Sequence, residues 1–177
     1  MFARLFRSNP AKDAGRRLYA AVAVQARQPD FYAALGAPDT VEGRFELYNL
    51  HVVVLLHRLK GLGGQAGETA QALFDAYIGA LDDSLREMGV GDLSVGKKMR
   101  KLGEAIYGRV KSFDAAFADP EGAGALEAIL TRTVYAGEPS PHAAALAAYV
   151  RRAVAALAAE PLERLLDGDV AWPEIVA

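Results

Sequence analysis

The chain has 177 residues, 52% of them apolar, a formal net charge of -2 and no cysteine. Such a length suits one compact domain rather than two, near-neutral charge excludes a global field that would gather nucleic acid, and the missing thiols exclude disulfides, thiolate metal sites and cysteine nucleophiles. The most apolar stretch, LHVVVLLHRL at 50–59, is too short for a membrane span and carries two histidines and an arginine.

The opening MFARLFR sets Arg4 and Arg7 among Phe2, Leu5 and Phe6. It lacks the continuous apolar core of an export signal, shows no mitochondrial targeting pattern, and reads at most as a short amphipathic anchor. From there apolar residues recur every three or four positions, and neither alternating strand patterns nor Asn-Gly turns occur. The pattern predicts an all-α protein, a single compact domain over 1–177 with about six to seven helices.

A first helix is expected from Pro10 to about Gln28, stopped by Pro29, followed by the short turn PDFYAALG. A long central helix starts at Asp39 or Thr40 and runs to the glycines at 61, 63 and 64. Its partner, ETAQALFDAYIGALDDSLREMG, puts Leu73, Tyr77, Leu81 and Leu85 on one stripe and ends at Gly89, with Val90 folding back on Leu85. A fourth helix, from about Ser94 to Ala118, carries Met99, Leu102, Ile106, Val110, Phe113 and Phe117, and Pro120 closes it. Then come PEGAGALEAILTRTVY and SPHAAALAAYVRRAVAALAAEPLERLL, parted by AGEPS, and a tail, DGDVAWPEIVA, expected to be irregular.

Gly91 to Lys98 reads G-x-x-x-x-G-K-K, one residue short of a phosphate-binding loop. That loop needs a preceding buried strand and a Ser or Thr on magnesium; here an amphipathic helix precedes, Lys98 replaces the hydroxyl and Asp92 adds a negative charge. No nucleotide is expected. The glycines serve instead to reverse the chain, with Asp92 or Ser94 capping the next helix.

The lysines need a separate account. Residues 93–113 hold Lys97, Lys98, Arg100, Lys101, Arg109 and Lys111 against one acid, Glu104. Lys97 and Lys98 fall in the first turn of their helix, where cations are disfavoured by a few tenths to about one kcal/mol. Lys97, Lys101 and Lys111 line the side opposite Met99, Leu102 and Ile106, with Lys98 and Arg109 flanking. The face either docks an anionic partner or is an ordinary solvated surface. Gly96 and Gly103, beside the apolar stripe and near Tyr107, would admit a second backbone, from this chain or another.

The segments VEGRFELYNLHVVVLLHRL and AQALFDAYIGALDDSLREMGVGDLSVGKKMRKLGEAIYGRV resemble the ubiquinol-cytochrome c chaperone family. The likeness is clearest over about 31–117, most distinctive in LREMGVGDLSVGKKM, and less diagnostic over 120–177. It implies a helical, non-enzymatic assembly factor without cofactor for ubiquinol-cytochrome c reductase, respiratory complex III. It also implies newly made cytochrome b as partner, with the ribosome near its exit tunnel as a further one; the basic helix itself adds an anionic membrane surface as a candidate partner. In the family pattern Arg44, Tyr48 and His51, on one helix face, and Arg86 with Asp92 belong to the recognisable blocks. They are candidates for a recognition surface with Lys97, Lys98, Lys101, Tyr107, Arg109 and Lys111, or members of a structural polar network in which Arg86 pairs with Asp82. The expected location is cytoplasmic or peripheral at the inner face of the membrane.

Other classes fit less well. Glu-x-x-His pairs of di-iron bundles are absent, His51 and His57 lie six apart on different helix faces, and His142 stands in a loop. A membrane-surface adaptor, using the opening segment and the basic helix to bind anionic lipid, is the main rival.

Overall fold

The computed structural model describes residues 9–118 and 123–176. Among them are eight helices and no strand. Phe2, Leu5 and Phe6 of the amphipathic start, and Pro120, read as a helix stop, lie outside the described residues.

Helix α1 spans Pro10–Gln25. The Asn9 side chain accepts from the N–H groups of Ala11 and Lys12 at 3.0 and 3.4 Å, and Pro10 sits where no N–H is needed. The helix stops three residues before the expected Gln28, because a residue preceding proline is pushed to extended backbone and Gln28 adopts φ -58°, ψ 129°. Helix α2, Pro29–Ala33, is one turn that drives Phe31 into the core.

Helix α3, Val41–Leu59, is capped by Thr40, whose hydroxyl accepts from Gly43 N–H at 3.1 Å. Gly43 is required there: a Cβ would lie 2.1 Å from the Pro38 carbonyl oxygen. Val52, Val53, Val54 and Leu55 are consecutive and all buried, so the middle of α3 is enclosed on every side. This is what the apolar run at 50–59 encodes.

Helix α4, Gly64–Glu87, begins four residues earlier than expected, within the glycine-rich stretch, because Ala66 and Thr69 are already buried in its first turns. Helix α1 lies along α4, and Gly15 is the point of closest approach. A Cβ on Gly15 would meet Ala72 backbone at 2.6 Å.

Helix α5, Asp92–Phe117, returns beneath α3, and α6, Ala123–Thr133, packs on α7, Ala143–Ala159. Within the segment that ends at residue 166, Pro161 separates α7 from the single turn α8, Leu162–Leu166. The last carbonyls of α7 are satisfied from α3: Arg58 donates to Leu157 O at 2.7 Å and Glu160 O at 3.2 Å. The tail is irregular as expected, yet Val170, Trp172 and Ile175 pack against the core.

One buried polar network joins α1, α3 and α7. His51 Nδ1 lies 2.7 Å from the Leu47 carbonyl, so this nitrogen carries the proton and Nε2 accepts from the Tyr149 hydroxyl at 2.9 Å. Gln25 donates to the same hydroxyl at 3.0 Å. Phe31 stands edge-on to both rings, and Trp172 edge-on to His51 at 5.0 Å. Burial, only partly opposed by the Leu47 hydrogen bond, lowers the His51 pKa to about 4.

Candidate interaction site

The turn between α4 and α5 sets up the surface. Gly89, at φ 80°, closes α4 with Gly89 N–H on Arg86 O and Val90 N–H on Leu85 O, which is the expected left-handed cap. The cap of α5 differs from expectation. Gly91 holds that position without any side-chain bond, because Asp92 lies one residue inside the helix and turns to Arg86 instead. Arg86 thus bridges Asp92 and Asp82, the latter at 2.7 Å, across the turn between the two helices. The near-match to a phosphate loop is therefore a helix-to-helix turn.

Along α5, Lys97, Lys98, Arg100, Lys101 and Lys111 are exposed and join none of the ion pairs seen among the described residues. Tyr107 stands among them, 74% exposed. No described atom of the chain lies within 4 Å of a Cβ built on Gly96 or Gly103, so this fold does not use the close approach they permit. Arg109 behaves differently from its basic neighbours. It turns inward to clasp both oxygens of Glu46, Nε to Oε2 at 2.6 Å and Nη2 to Oε1, with the guanidinium over the Phe45 ring. Its charge fastens α5 to α3 rather than extending the lysine face.

Lower on the same pair of helices, Asp114 Oδ1 is 2.9 Å from His57 Nδ1 and Oδ2 is 2.5 Å from Lys60 Nζ. Burial by itself would raise the Asp114 carboxyl, but the hydrogen bonds from Lys60 and His57 outweigh it and leave it lowered.

The candidates on α3 separate by depth. His51 is 1% exposed and belongs to the core network, so a place on a recognition surface is corrected: its ring points between α1 and α7, where apolar packing demands it. Arg44 is exposed, with Nε on Asp39 at 2.6 Å. Tyr48 is half-buried beneath Arg27, whose guanidinium carbon is 5.6 Å from the ring centre.

Arg44 and Tyr48 open onto a feature that no short stretch of sequence announces. A cavity of about 360 Å³ lies between the end of α1, the first half of α3 and the second half of α4, with Leu102 of α5 on one wall. Val41, Phe45, Leu81, Leu85 and Met88 make it mostly apolar, while Tyr19, Tyr48, Tyr77, Arg27, Arg44 and Glu42 supply the polar groups. Val41 and Met88, at its walls, are 62% and 56% exposed, unusual for large apolar side chains. A shallower polar depression on the far side shares Arg27 and Arg44 and adds Tyr32 and Asp39. Sequence reasoning missed Arg27, Val41 and Met88; the only local signal is that each interrupts its helix's pattern at or near an end.

Among the described residues no three His, Asp or Glu side chains are placed to hold a metal, and no helix is long and apolar enough to cross a membrane. The arrangement suits binding: a cationic face, an aromatic side chain and an adjoining apolar hollow.

Comparison with known proteins gives a consistent picture. A family model described as ubiquinol-cytochrome C chaperone matches residues 33–172. The crystal structure of the Cbp3 homolog from Brucella abortus superimposes with a TM-score of 0.87 at 38% identity, covering 99% of this chain and 98% of that one. No curated protein matches the sequence.

Proposed function

Since the chain belongs to the ubiquinol-cytochrome c chaperone family, we propose that it is a non-enzymatic assembly factor of ubiquinol-cytochrome c reductase whose client is newly made cytochrome b. The observation that carries this reading is the family match over 33–172, which spans the α3–α4–α5 unit bearing the lysine face. A protein that meets an apolar membrane helix bundle outside the bilayer needs an apolar hollow and a polar surface for the connecting loops. Both are adjacent here: Met88 and Leu102 wall the hollow, and Lys97, Lys98 and Lys101 follow Asp92 on α5. Arg86 and Asp92 hold the two in register, Arg44 and Tyr48 border the hollow, and Tyr107 and Lys111 extend the face along α5. Arg109 acts from beneath by tying α5 to α3.

The test is affinity capture of the tagged chain from its host, comparing wild type with Lys97, Lys98 and Lys101 changed together to Glu and together to Arg. Cytochrome b should be recovered with wild type and the Arg variant and be lost with the Glu variant. A chain that recovers no cytochrome b but sediments with phosphatidylglycerol vesicles is a membrane-surface adaptor, and the client reading then fails. Ribosomal proteins in the wild-type capture would place the encounter at the exit tunnel.

A further inference from the structure

The cavity between α1, α3 and α4 contains a chemical imbalance. Tyr77 is 1% exposed and its hydroxyl has no hydrogen-bond partner, and the Tyr48 hydroxyl is buried and likewise unpartnered. Arg27 stacks on Tyr48 and joins none of the ion pairs seen among the described residues. Arg44 engages Asp39 through Nε. The guanidiniums can only donate and each hydroxyl can donate as well as accept, so an acceptor is the one kind of group that could engage all of them, and the guanidiniums favour an anionic one. Glu42 is the one carboxylate on the wall, and Asp39 offsets part of the Arg44 charge.

The rest of the wall is apolar and elongated. From Tyr77 to Met88 it follows α4 for eleven residues, about 16 Å at 1.5 Å per residue. A hollow of about 360 Å³ falls at the small end of ligand pockets, roughly 300–1,000 Å³. Apolar along most of its wall and carrying two guanidiniums where Arg27 and Arg44 divide it from the outer depression, it matches an amphiphile rather than a compact polar metabolite. We propose that this cavity binds a single hydrocarbon chain ending in an anionic group, with the chain along α4 and the head at Arg27 and Arg44.

Titration of the purified full-length chain tests this, using laurate, dodecyl maltoside of the same chain length, and inorganic phosphate, each below any micellar concentration. Laurate should bind once per chain, the maltoside about tenfold more weakly for want of a charge-assisted contact, and phosphate not measurably. Arg27→Gln should weaken laurate about tenfold and leave the maltoside unchanged, while Glu42→Gln should tighten laurate by removing a like charge. Ala80→Trp, which fills the wall, should abolish both; Ala80→Leu, a milder filling, covers the case in which the Trp variant fails to melt cooperatively. Equal binding of laurate and maltoside, or laurate binding indifferent to Arg27 and Ala80, overturns the proposal. So does a leucine-rich helical peptide that binds where laurate does not. Sedimentation with phosphatidylglycerol vesicles that Ala80→Trp abolishes assigns the chain to a membrane lipid; laurate binding without sedimentation assigns it to a free fatty acid. Because none of these readings uses cytochrome b, they stand or fall apart from the client proposal.

Discussion

Tyr149 and Tyr77 are each 1% exposed and each hang from a long helix over the same core. The first hydroxyl has two partners, His51 and Gln25, within 3.0 Å; the second has none. Around Tyr149 the His51 ring, the Gln25 amide and the hydroxyl answer one another and the Phe31 edge closes on the ring, while Trp172 stands edge-on to His51 with its own indole N–H unpartnered. Around Tyr77 the wall opens into a hollow lined by exposed Val41 and Met88. One end of the helix bundle is finished by its own side chains, and the other is left for something else to finish. A buried hydroxyl without a partner costs on the order of 1–3 kcal/mol, and the Tyr77 and Tyr48 hydroxyls carry that cost beside the hollow.

Deleting the centre of the closed end should therefore do the most damage. Phe31→Ala removes a ring set edge-on against both His51 and Tyr149, and unfolding in urea should show a loss of about 3–5 kcal/mol. Met88→Ala, at the open end, should change stability by no more than about 0.5 kcal/mol. Equal losses would dissolve the contrast.

Acid should attack the same end. His51 titrates near 4 in the folded chain and near 6.5 once unfolded, so between those values the unfolded chain binds the extra proton. Stability is then full above about pH 6.5 and falls as pH drops towards 4, by roughly 3 kcal/mol from this residue. His51→Gln should flatten that part of the profile, read as the difference between wild-type and variant urea midpoints at pH 7 and 4.5. The lowered Asp114 adds a loss in the same direction, common to both proteins, and cancels in the difference.

The two tyrosines themselves give a smaller and sharper comparison. Tyr149→Phe strands His51 Nε2 and the Gln25 amide and should cost about 1–3 kcal/mol, whereas Tyr77→Phe removes a hydroxyl that has no partner and should be neutral or stabilising.

The buried helix faces are largely legible in the sequence and the hollow they leave between them is not. The stripe Leu73, Tyr77, Leu81, Leu85 and the core run at 50–59 follow from spacing, because burial repeats with the helix. The caps Asn9, Thr40 and Gly89 follow from residue chemistry, whereas the start of α4 is hidden because its glycines resemble a linker, and only the fold buries Ala66 and Thr69. Arg27, Val41 and Met88 meet only through the path of three helices, and no local pattern joins them. Arg109 and Lys111 look alike in sequence. Only the fold brings Glu46 to Arg109 and turns one of two similar cations from the surface into a clasp.

That distinction supplies the smallest effect on stability and the cleanest separation of the two regions. Lys97, Lys98 and Lys101 touch no acid in the described structure and, because α5 starts at Asp92 rather than at the expected Ser94, lie in its second and third turns, where the macrodipole acts only weakly. Changing all three to Glu should leave the thermal midpoint unchanged or slightly higher. Arg109→Met should lower it clearly, because the buried Glu46 carboxylate is left without its partner. If the lysines bind an anionic partner, the binding deficit of the Glu variant should shrink as salt is raised, because screening weakens the wild-type attraction first. A salt-independent deficit would mean that the change acts through the α4–α5 turn. A fall in thermal midpoint would mean that these lysines brace the fold, and the lysine face would then belong with the closed end rather than the open one.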